Sequence, residues 1–214
     1  MHVPDGLLQP AVWAGGWALG GGGLAWAVVR ARRVMEKGLV PLAGVLAAFI
    51  FAAQMLNFPI LPGVSGHLVG AALAAIALGP AMGVLVIFTV LAVQCLLFAD
   101  GGVTALGLNT LAMGVTGALV GFALYRLIGG RTPAGWRRRV AAFAAGWGAT
   151  VAASAVTSTA ICLSTPYPPA TVFGLMVGFH ALVGVGEGVI TALVVEVLQG
   201  AGVLERRLEG GMAR

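Results

Sequence analysis

An all-α fold, a polytopic membrane helix bundle of about seven transmembrane helices with its N-terminus outside, is predicted by three features of the sequence. These are a deficit of charge, a series of apolar runs of spanning length, and basic residues confined to three blocks. Hydrophobic residues fill 59% of the 214 positions and charged residues only 9%, against roughly 45–50% and about 25% in soluble domains. With a mean hydropathy of +1.01, a water-facing surface would expose more apolar area than soluble proteins tolerate. Lipid is therefore the expected solvent. The net charge of +5 does not imply a nucleic-acid partner, because the basic residues are clustered along the chain and not spread over a surface.

A spanning helix needs roughly 17–25 mostly apolar residues. Seven runs approach that length: Leu7–Val29, Leu39–Met55, His67–Leu78, Met82–Phe98, Leu106–Leu127, Val140–Cys162 and Thr171–Leu198. The third is short. Gly79-Pro80 interrupts the long apolar run from Leu68 to Phe98, which points to a tight re-entry of the chain there. The basic blocks are Arg30, Arg32, Arg33 and Lys37; Arg126, Arg131, Arg137, Arg138 and Arg139; and Arg206, Arg207 and Arg214. With seven helices all three fall on one side, which the positive-inside rule makes cytoplasmic. Met1–Gly6, Leu56–Gly66, Ala99–Ala105 and Ser164–Ala170 are left for the outside, and none holds a Lys or Arg. Met1–Gly6 also lacks the basic start of a signal peptide and is expected to stay in the mature protein. The glycine clusters Gly15-Gly16 and Gly20–Gly23 suit close helix packing. Cys95 and Cys162 read as small buried hydrophobes.

Outside the cytoplasmic blocks and the acids near them, the ionisable residues are His2, Asp5, His67, Asp100, His180, Glu187 and Glu196. Such groups in or near a membrane are costly and tend to be functional. The covalent surroundings of His2 are informative. The Met1 amine, the backbone nitrogen of residue 2 and the His2 imidazole close a five- and a six-membered chelate ring on one ion. Nitrogen from His67 would complete a square, a geometry that suits Ni(II) or Cu(II), with imidazole also suiting other late first-row ions. Pro4-Asp5-Gly6 supplies a turn that can fold the chain start back. His67 is expected to open a helix with Ser65 as its N-cap. Asn57, Ser65, Asp5 and Asp100 are candidates to hydrogen-bond and orient the ligands, although the two aspartates also suit turns beside Gly6 and Gly101. His180 and Glu187, two helical turns apart, face the same way and are expected to make a buried polar contact between helices.

Met1-His2-Val3-Pro4-Asp5-Gly6 resembles the start of the CbiM/NikM family, the substrate-binding membrane components of energy-coupling-factor transporters for cobalt and nickel. Asn57-Phe58-Pro59 with Ser65-Gly66-His67-Leu68, then Asp100-Gly101-Gly102 with Thr104-Ala105-Leu106-Gly107 and Asn109, resemble further signatures of that family. His180-Ala181-Leu182 through Gly186-Glu187-Gly188 resembles its last. The resemblance covers nearly the whole chain and implies a metal held by Met1, His2 and His67. One departure is Ala99, where the family usually has Gly.

On this reading residues 1–214 form a single membrane domain of the plasma (inner) membrane, with residues 1–6 folded back as the metal-capture element. Co(II) or Ni(II) is the transported substrate, with a link to cobalamin biosynthesis in the cobalt case. The resemblance also implies a membrane coupling subunit, cytoplasmic ATPase subunits and a small accessory membrane subunit as partners. No G-x-x-x-x-G-K-[ST] loop is present, so the chain is not expected to bind ATP. The alternative is an enzyme. Gly63-Val64-Ser65-Gly66 also fits the Gly-x-Ser-Gly of rhomboid-like intramembrane serine proteases, with Ser65 and His180 as the reacting pair.

Overall fold

The computed structural model describes residues 1–34, 39–130 and 132–204. Of the basic blocks, Lys37, Arg131, Arg206, Arg207 and Arg214 lie outside the described residues. Seven helices follow one another among those described: α1 Pro10–Val34, α2 Leu39–Gln54, α3 Ala71–Leu78, α4 Pro80–Phe98, α5 Leu106–Gly129, α6 Gly135–Ser164 and α7 Pro169–Gly200. Five of them, all but α2 and α3, are long and apolar enough to cross a membrane. Large apolar side chains face outward along them, Leu19, Leu127, Leu182 and Val197 among them, as lipid as the surrounding solvent requires.

The predicted break at Gly79-Pro80 is where the structure has it. Gly79 takes φ 93°, outside the helical region, and Pro80 then starts α4 at a position where its missing N–H is no loss. The eight residues of α3 are all buried. At about 1.5 Å per residue that helix is too short to cross a hydrocarbon layer of roughly 30 Å. It enters the bundle and hands over to α4, so the third expected span is a buried half-helix.

Two further expectations are corrected. The fold is not purely helical, because β1 (Phe58–Leu61) and β2 (Val64–Gly66) form an antiparallel hairpin, with Phe58 opposite Gly66 and Pro59 opposite Ser65. Pro59 and the Pro62-Gly63 turn exclude a helix here. Ser65 lies in β2, and His67 stands four residues before α3, whose N-cap is Gly70. His67 is thus carried on the exit of a strand.

Glycines set the closest helix contacts. In α1, Gly16, Gly20 and Gly23 share one face against α5, whereas Gly15, Gly21 and Gly22 meet nothing. Inside α5, Thr110–Thr116 widens into a π-helical stretch immediately after Asn109; such bulges often mark functional places in a helix. Cys95 is buried and Cys162 half-buried, both as free thiols.

Candidate metal centre

The chain start is buried. Met1, His2 and Val3 are 0–2% exposed, although Met1 begins the chain and carries a polar amine. Backbone polar groups buried this deeply must find partners, and three segments distant in sequence provide them. The amide of Val3 donates to Asn109 Oδ1 at 3.1 Å, and Val3's carbonyl accepts from Asn109 Nδ2 at 3.3 Å and from the Gly102 amide at 2.9 Å. Asn109 therefore treats Val3 as a neighbouring strand would. Two residues on, the carboxylate of Asp5 accepts from the amides of Val103 (3.0 Å) and Thr104 (2.8 Å) and from the Thr104 hydroxyl. These bonds hold the Asp5 carboxyl below its usual range, led by the Thr104 hydroxyl. Gly102 permits this approach, since a Cβ there would lie 2.2 Å from the Asp5 nitrogen.

The same tail brings its first two residues to the hairpin. The Met1 amine donates to the carbonyl of Ser65, and the imidazoles of His2 and His67 stack with centroids 4.5 Å apart and planes 27° from parallel. His67 Nδ1 lies 2.6 Å from the Leu68 carbonyl oxygen. That oxygen can only accept, so Nδ1 carries the proton and Nε2 the lone pair. His67 Nε2 is buried without a protein partner. His2 Nδ1 sits 2.9 Å from Asp100 Oδ1, at ion-pair distance but off hydrogen-bond alignment. Asp100 is itself held by Asn57, whose Nδ2 donates to Asp100 Oδ2 at 3.3 Å.

Burial sets the protonation of the nitrogens. It lowers the Met1 amine well below its ordinary 8.0, against the opposing pull of Asp100. It lowers His2 below 6.5 despite contact with Asp100, and lowers His67 further, helped by the charge of the nearby amine. All three nitrogens are thereby biased toward the neutral, lone-pair form that binds a metal. Among the described residues no three His, Cys, Asp or Glu side chains group as a metal site.

Met1, His2 and His67, the expected ligands, thus meet at one place, with Ser65 contributing its carbonyl and Asp100 a neighbouring charge. Asp5 and Asn57 lie one step further out, seating the tail and Asp100. Three residues with no role read from the sequence complete the arrangement: Asn109, Thr104 and the buried Gln94, whose carboxamide lies against the His2 ring without a well-aligned hydrogen bond. Each is a polar residue in or beside an apolar run, which is the signal that marks them. His180 and Glu187 are both buried, and of the two only Glu187 makes the expected polar contact between helices, from α7 to the N-cap of α3. His180 Nδ1 bonds the Met176 carbonyl of its own helix, and Glu187 reaches the backbone after His67.

The family model described as the cobalt uptake substrate-specific transmembrane region, CbiM, matches residues 2–203. The chain belongs to this family. Among CbiM-related proteins, the cobalt transport protein CbiM of Salmonella typhimurium is 35% identical over 92% of this chain and 83% of its own length. A fused nickel transport protein, NikMN, of Rhodobacter capsulatus is 34% identical over 93% of this chain, which spans 62% of that longer protein. A solved structure of a truncated transition metal transporter superposes with a TM-score of 0.88 at 30% identity, covering 94% of this chain and 99% of that one. The CbiM family is a transport family, and this member is a membrane protein and not an enzyme. The protease alternative finds no support: Ser65 Oγ has no hydrogen-bond partner among the described residues, and His180 Nδ1 is bonded to the Met176 carbonyl.

Proposed function

We propose that the chain captures Co(II) or Ni(II) through the Met1 amine, the His2 backbone nitrogen, the His2 imidazole and His67 Nε2. The observation that carries this reading is the burial of the chain terminus beside two stacked imidazoles, with all three groups shifted toward their deprotonated forms. Charge supports it as well. A dication bound by a deprotonated amide nitrogen and neighboured by the Asp100 carboxylate sums to zero, and a buried site favours a neutral total.

Both cobalt and nickel transport proteins are among the relatives. Four nitrogens in a plane favour Ni(II), and metal analysis of the purified chain by mass spectrometry decides between the two ions. The chain acts as the substrate-specific subunit of an energy-coupling-factor importer in the plasma membrane, a single domain over residues 1–214 that binds metal at its outer face. The Arg-rich helix ends lie inside. A membrane coupling subunit, cytoplasmic ATPases and a small accessory membrane subunit supply the work, and this chain binds no ATP.

The test is one residue added ahead of Met1. It converts the amine to an amide and moves the free amine away, so metal binding and uptake should be lost although every side chain is retained. Proteolytic removal of the extension should restore both. Full uptake by the extended protein in cells holding the complete transporter would refute the amine ligand.

A further inference from the structure

Glu187 is buried on α7, more than a hundred residues from the candidate ligands in sequence. Its carboxylate accepts two backbone hydrogen bonds, from the Val69 amide to Oε2 at 2.7 Å and from the Gly70 amide to Oε1 at 2.6 Å. Both lie in the short range of charge-assisted bonds. Val69 N–H belongs to the same peptide unit as the Leu68 carbonyl, which is the acceptor for His67 Nδ1 at 2.6 Å. The amide is conjugated. A carboxylate that draws on its N–H pushes electron density onto its oxygen and strengthens it as an acceptor, as hydrogen bonds in a chain polarise one another. A stronger acceptor at Nδ1–H in turn makes Nε2 a better donor to a metal, the effect that a direct carboxylate partner has on a ligating histidine.

We propose that Glu187 is a positioning residue for the metal site, acting on His67 through the Leu68–Val69 peptide. Carboxylate, peptide and imidazole then form one hydrogen-bonded chain that ends at His67 Nε2. This inference rests on the proposal that His67 is a ligand. The same turn is gripped from α2, where Gln54 Nε2 donates to the Val69 carbonyl at 2.7 Å. That bond falls on the next peptide, Val69–Gly70, and not on the Leu68–Val69 peptide that links Glu187 to His67, and so offers a control. A buried carboxylate in a membrane bundle is costly, and its place here is accounted for by what it does to the turn bearing His67.

The experiment is a double-mutant cycle on the full-length protein, with Ni(II) affinity measured by competition against a chelator. Glu187→Gln keeps the shape but loses the charge, and should weaken Ni(II) binding by roughly 10–100-fold. In a His67→Ala background, where the terminal amine, amide and His2 still bind weakly, the same change should alter affinity less than about twofold. In protein carrying ¹⁵N-labelled histidine, the His67 Nδ1 proton resonance should move upfield in Glu187→Gln and hold its position in Gln54→Leu. If Glu187→Gln does not give folded protein by circular dichroism and gel filtration, Glu187→Asp takes its place. Its shorter carboxylate lengthens the bonds to both amides and should give a loss confined to the His67 background. Equal losses with and without His67, or no loss at all, would overturn the inference. Unchanged Ni(II) binding in His67→Ala alone would instead overturn the ligand assignment on which it rests.

Discussion

The two ends of the bundle handle charge in opposite ways. At the end holding the chain start, amine and imidazoles are 0–2% exposed and their partners are mostly backbone groups or carboxamides. At the other end, Arg138 forms a two-pronged pair with Glu196, Nε to Oε1 at 2.8 Å and the second nitrogen to Oε2 at 3.0 Å, while Arg139 beside it is mostly exposed. Charge near water costs little and contributes little. Taking ionisable groups out of water is expensive, which makes the buried end the candidate binding site. Substitutions at the buried end should therefore act on metal affinity, and substitutions at the basic end on orientation and modest stability.

The largest effect is expected from the ligands. His2→Ala and His67→Ala should each purify without cobalt or nickel while remaining folded, because neither opens a large cavity; Ser65→Ala should retain much of its metal, since the serine engages Met1 through its carbonyl. Undiminished metal in both histidine variants would place the ion elsewhere. Next in size is Gly102→Ala. Its methyl would collide with the Asp5 nitrogen, so the tail should lift from the loop, with a fall in affinity that mass spectrometry detects and little change in helicity.

The pH dependence sharpens the contrast. Metal binding releases the protons of its ligands. Because burial lowers the amine and both imidazoles below their ordinary values, protons compete for the imidazoles only on the acid side of roughly pH 6.5 and for the amine only on the acid side of roughly pH 8. Above that, a deprotonated backbone nitrogen still costs one proton, so affinity should rise about tenfold per pH unit. A flat profile from about pH 7 to pH 9 would exclude the amide ligand. Acidification should weaken binding more steeply, since several nitrogens then protonate together.

Smaller effects separate scaffold from site. Ala99 holds φ 55° at the end of α4, a left-handed conformation that costs an L-residue roughly 1–2 kcal/mol. Ala99→Gly should raise thermal stability by about 1 kcal/mol, with metal affinity unchanged. Arg138→Gln should cost no more than about 1 kcal/mol, and should leave metal binding unaltered; a large loss of affinity would show that the two ends communicate.

The sequence by itself determined the class of the protein and the outline of its chemistry. Charge deficit and run length are properties of composition, so the lipid environment and most helices were legible, and so was the break at Gly79-Pro80, where the cause is a single proline. The chelating potential of Met1 and His2 was legible for the same reason, since five- and six-membered rings are consequences of covalent spacing. Only the tertiary structure decided that Met1–Val3 are buried, that His67 leaves a strand and not a helix, and that Asn109 and Glu187 hydrogen-bond the backbone of the two segments that carry the candidate ligands. Those contacts join residues more than a hundred positions apart. No local periodicity encodes them, because what places an Asn or a Glu beside a particular backbone amide is the packing of several helices at once.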